Sequence, residues 1–110
     1  MSKTLKFTVD LEGLDLPPQD AQRSPQELVS VVIHNIIHAY SRNGLKQDER
    51  NQYYRIVGVM DEAVKAKSEE VLLEDTDAGF LRKCCRESQM VPNRLLQRVE
   101  SLIDDINKTA

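Results

Sequence analysis

The chain has 110 residues, 40% hydrophobic and 30% charged, with a formal net charge of −3. That length suits one domain with a modest core, and the charge gives no general attraction to nucleic acid or to anionic membranes. No apolar run approaches the ~20 residues of a membrane helix, and charges interrupt MSKTLKFTVD where a secretory leader would be apolar. The expectation is a cytoplasmic chain forming a single domain over 1–110, with no membrane contact and with reduced cysteines.

Residues 3–11, KTLKFTVDL, alternate strictly: Leu5, Phe7, Val9 and Leu11 share one face and Thr4, Lys6, Thr8 and Asp10 the other. This predicts a strand with one buried side. In residues 12–23, Gly13 and Pro17-Pro18 predict an extended connector, pinned to the core by Leu14 and Leu16. Residues 24–43 then predict the central helix. Ser24, Pro25 and Glu27 make a capping box with proline at the first helical position, and Asn43-Gly44 supply a left-handed stop. Leu28, Val29, Val32, Ile33, Ile36, Ile37, Ala39 and Tyr40 form a wide apolar stripe, the mark of a helix touching several neighbours.

A second helix is predicted over 46–66, with Asp48 and Glu49 suited to its N-terminal dipole. Tyr53, Ile56, Val57, Met60, Ala63 and Val64 form its stripe, while Tyr54 and Gly58 fall outside it. The run Val71-Leu72-Leu73 is the candidate second strand, the one in-chain partner available to the first. A third helix is predicted over 75–88, capped by Asp75 or Thr76, and a fourth over 93–107, capped by Asn93. The last residues, 107–110, are expected to fray. The fold class is therefore mainly α, a four-helix domain with a short N-terminal strand. That strand can pair with 71–73 or, across a two-fold axis, with a second copy of the chain.

Three clusters carry residues with chemical potential. His34 and His38, the two histidines of the chain, stand at i, i+4 as in His-Glu-x-x-His zinc sites. Asn35 replaces the general base, and a third protein ligand is wanting. By wheel position both lie opposite the core stripe. Cys84-Cys85 are too close in sequence for an unstrained mutual disulfide; Arg82, Lys83 and Arg86 could lower a thiol pKa, and the simpler reading makes Cys84 a small core residue. Arg82, Lys83, Arg86, Arg94 and Arg98 give a basic stretch for a nucleic acid or an acidic partner. No residue set suggests a catalytic centre or a cofactor site.

The stretches LKQDERNQYYRI (45–56) and VLLEDTDAGFL (71–81) together resemble a pattern in small orphan accessory proteins of tailed bacteriophages and prophages. There a Leu-x-x-x-Glu-Arg helix precedes an acidic-start helix ending in Phe-Leu. The resemblance implies an accessory protein that acts by binding, and it transfers no site residues.

The leading functional reading is a non-enzymatic interaction or regulatory module of a bacterial or phage cytosol, with a protein partner. The alternative is a nucleic-acid-binding regulator using the basic stretch over 82–98, and a third is a metal-dependent enzyme built on His34 and His38. A two-fold homodimer is also expected, with Val31 and Tyr54, apolar positions on otherwise polar faces, as its contacts.

Overall fold

Only the first part of the alternating segment forms a strand, β1 (Ser2–Lys6), with residues 7–11 outside it, and Glu70–Glu74 forms β2. The two pair antiparallel, with Leu5 opposite Val71 and Lys3 opposite Leu73. Leu5, Phe7, Val9, Val71 and Leu73 are buried, so one face of the ribbon lies on the core. Beyond the ladder the Phe7 N–H donates to the Glu69 carbonyl at 2.7 Å. The first strand thus finds its partner within the chain. The structure, a computed structural model, describes residues 2–106; the expected fraying of 107–110 and the last residue of the fourth predicted helix lie outside the described residues.

The connector leaves Leu14 and Leu16 half-buried beside Asn93 and Leu95 instead of pinned to the core, where Leu11 packs, and it is not extended throughout. Pro18–Ala21 make a one-turn helix, α1. Proline at its first position is already set to helical φ, and the Asp20 and Ala21 N–H groups donate to the Pro17 carbonyl at 2.9 and 3.0 Å.

The central helix is α2 (Pro25–Tyr40), capped by Ser24, whose Oγ accepts from the Glu27 N–H at 3.2 Å. It stops three residues before the expected end. Ser41 closes it, its Oγ donating to the His38 carbonyl at 3.3 Å, and the left-handed Gly44 belongs to the separate turn that follows. Ile33, Ile36 and Ile37 are at most 1% exposed, and α2 packs against each of the three helices that follow it.

Those are α3 (Gln47–Ala66), α4 (Asp75–Glu87) and α5 (Arg94–Asp105). Helix α3 buries Ile56, Met60 and Ala63 and half-buries Tyr53, Val57 and Val64. It ends at Lys67, in the left-handed region at φ 52°. Helix α4 starts without a break after β2, so Glu74 takes the cap position expected for Asp75 or Thr76. Asn93 caps α5 as expected, its Oδ1 accepting from the Leu96 N–H at 2.8 Å. The result is a mainly helical domain around one core, with a two-stranded ribbon on its side. Among the described residues no helix is long and apolar enough to cross a membrane.

Candidate interaction groove

Helix α3 turns one face to the core and the other to solvent, and the solvent face carries Tyr54, Gly58 and Glu62 at successive four-residue intervals. Such positions stack along one side of a helix. In β2 the side chains alternate, so Val71 and Leu73 go inward and Leu72 outward. Because α3 lies against β2 while α5 lies against β1, the solvent face of α3 adjoins the outward side of β2. Between them runs an open groove of about 530 Å³, lined by Tyr54, Gly58 and Val59 from α3 and by Leu72 and Glu74 from the strand.

Tyr54 is 63% exposed and Leu72 64%; with Val91 they are, among the described residues, the large hydrophobic residues left in solvent. Single exposed apolar residues are ordinary, but two on one concave surface are a feature. Arg55 and Asp77 also line the groove. Asp77 is 2% exposed, and Arg55 grips it bidentately, Nε to Oδ2 at 2.9 Å and Nη2 to Oδ1 at 2.7 Å. That contact raises the Arg55 pKa further above its ordinary value and neutralises a buried carboxylate, as buried charge requires.

Tyr54 was singled out in the sequence; Leu72, Val59, Arg55 and Asp77 were not. One signal for Leu72 was present: three apolar residues in a row, between glutamates, in a one-sided strand must leave the middle one outside. Val31 is half-buried on a different surface, a shallow depression with Glu27, Asp61 and Val64. It shares no lining residue with the Tyr54 groove.

The histidines come together, though not on an open polar face. His38 is exposed, but His34 is half-buried against α3, and Tyr53 stands between them. Its Oη lies 3.4 Å from Nδ1 of His34 and 3.4 Å from Nε2 of His38. Burial, with His38 adding to it, holds the His34 imidazole below its ordinary value, against an opposing pull from Asp61. Among the described residues no group of three or more His, Cys, Asp or Glu side chains converges as metal ligands.

Members of the basic stretch engage different neighbours. Lys83 turns toward α3, its Nζ 3.7 Å from Glu49 Oε2 and 5.6 Å from the centre of the Tyr40 ring. Arg98 turns the other way and donates to the carbonyls of Asp10 and Glu12 in the connector. Arg94 lines a hollow beside that connector with Leu14 and Asp20. Arg82 is half-buried and Arg86 exposed. Neither thiol is activated by these cations. Burial above all pushes both Cys84 and Cys85 up to about 12, and the Cys85 thiol donates to Glu100 at 3.7 Å.

Comparison with protein-family models, with curated proteins and with solved structures finds no match to the chain.

Proposed function

We propose that the chain is a non-enzymatic interaction module that binds a protein partner through the groove between α3 and β2. The observation that carries this reading is the joint exposure of Tyr54 and Leu72 on one concave surface. Aromatic anchors beside small apolar pockets are where binding energy concentrates. The two stretches that resemble phage and prophage accessory proteins, 45–56 and 71–81, supply Tyr54, Arg55, Leu72 and Asp77, and the Arg55–Asp77 pair joins them. That supports an accessory or regulatory role in a bacterial or phage cytoplasm.

The test is a photo-reactive phenylalanine analogue at position 54, in the full chain expressed in its native host, with the same residue at the exposed position Ser101 on α5 as control. A discrete adduct at 54, absent at 101 and lost when Leu72→Lys is added, is the expected result. Equal adducts at both positions, or none at 54, would refute the proposal.

A further inference from the structure

The groove reading says where a partner binds; the strand beside the groove says in what form. In the two-stranded sheet β2 has β1 on one side, and among the described residues no strand pairs with its other side. Among the described residues, the backbone groups of Glu70 to Leu73 make no hydrogen bond to α3 or to any segment beyond the ribbon. An edge of this kind is a template for another strand. Here it faces a groove whose opposite wall is a helix, so an added strand would be hydrogen-bonded on one side and packed on the other.

The groove wall fits that use. Gly58 sits between Tyr54 and Glu62 on α3, and a Cβ placed there would meet nothing within 4 Å. Its missing side chain is therefore not demanded by packing within the chain. It keeps the helix wall low where an incoming side chain would lie.

Charge selects among occupants. Glu62 and Glu74 line the groove and Glu70 is exposed further along the same strand, whereas Asp77 is already paired with Arg55. In a two-fold antiparallel pairing of β2 with a second copy about Leu72, Glu70 of each copy would stand opposite Glu74 of the other. Like charges directly opposed in a ladder are destabilising. A strand with cations at those positions would be attracted instead.

We propose, building on the interaction reading above, that β2 accepts a third strand from a partner protein. The segment is extended, apolar opposite Leu72, and basic two residues to either side, so that Lys or Arg meets Glu70 and Glu74. Backbone pairing supplies register, and Tyr54 and Leu72 supply the apolar contact.

The test is selection of random dodecapeptides on the intact protein, followed by amide NMR with one synthetic selected peptide. Expected are peptides with a basic-x-apolar-x-basic pattern, shifts confined to β2 and to the 54–62 side of α3, and new hydrogen-exchange protection in β2. N-methylation of alternate peptide amides, or Leu72→Lys or Glu74→Lys in the protein, should each weaken binding by about tenfold or more. Circular dichroism would confirm that both variants stay folded. Peptides that bind the groove but tolerate N-methylation overturn strand addition and leave the interaction reading standing. Selected acidic peptides, or a dimer sealed through β2, overturn the choice of occupant. If no peptide is selected, the strand inference falls while the crosslink at position 54 still judges the interaction reading. Peptides insensitive to Leu72→Lys overturn the strand inference, and the crosslink at position 54 again judges the interaction reading.

Discussion

Gly58→Ala separates what the fold needs from what the groove needs. Gly58 lies inside α3, exposed, outside the left-handed region, and with no atom within 4 Å of where an alanine methyl would sit. Glycine inside a helix is about 0.5–1 kcal/mol worse than alanine, because its backbone loses more freedom on folding. No packing loss offsets that gain here, so the substitution should stabilise by about 0.5–1 kcal/mol. For a chain of this size that is a rise in Tm of about 2–5 °C. Gly79→Ala in α4 is the internal control, since its Cβ position is equally open but lies outside the Tyr54 groove. Urea titration at constant m-value would show the two gains and their additivity. The variants should differ in binding: Gly58→Ala should weaken crosslinking at position 54 and capture of the selected peptide, and Gly79→Ala should leave both unchanged. Destabilisation by Gly58→Ala would mean the helix wall is not open there. Stabilisation with unimpaired binding would show that the flat wall has no role in recognition.

Ile33→Ala or Ile36→Ala, at positions at most 1% exposed, should cost about 2–5 kcal/mol by chemical denaturation, and His34→Ala clearly less; the reverse order would mean the faces of α2 are misassigned. Because folding lowers the His34 pKa from 6.5, the unfolded chain takes up a proton that the folded one resists. Stability is then fully present above about pH 6.5 and falls as pH drops through that value, a slope that His34→Gln should reduce in urea midpoints compared near neutral and mildly acidic pH. With both thiols at about 12, alkylation by iodoacetamide at mildly alkaline pH should be slow in the folded protein and rapid in urea; fast labelling of native Cys84 would contradict its burial. Excess zinc should leave the Tm unchanged, since His34 and His38 gain Tyr53 as a neighbour but no third acidic, thiol or imidazole ligand among the described residues; a rise abolished by His34→Ala would reverse this.

What the sequence made legible was local. The Ser24 and Asn93 caps, the stripes of α2 and α3, and the inward set Leu5, Phe7 and Val9 each depend on spacing within one element, and each is found. Two local signals were outweighed by their surroundings. Asp75 and Thr76 are good caps, but with no residue between β2 and α4 the strand's own last glutamate fills the position. Asn43-Gly44 is a good helix stop, but the chain had already turned at Ser41. The basic stretch was legible as composition but not as a surface. Neighbours in sequence along α4 and α5 point in different directions, so Lys83 reaches Glu49 while Arg98 reaches the connector. The groove needed information of the opposite kind, namely which side of the β1–β2 ribbon α3 lies on. Only the tertiary arrangement sets Tyr54 beside Leu72.

The groove is also held open before any partner arrives. Its helical wall is fixed to α2 and α4 at several heights. At the start of α3, Glu49 accepts from the Tyr40 hydroxyl at 2.7 Å and lies 3.7 Å from Lys83, and the Tyr40 bond holds its carboxyl below the ordinary value. A turn later Gln52 donates to the Thr76 carbonyl at 3.5 Å, and beyond it Arg55 grips Asp77. These contacts set both the rotation of α3 about its axis and its distance from the β2–α4 junction. Tyr54, between the last two, has little freedom to swing its backbone toward or away from Leu72. Ordering a surface during association costs affinity, and a surface ordered beforehand avoids that cost. An extended segment, which loses backbone freedom on pairing, is the kind of partner that gains most from a wall and an edge already in place.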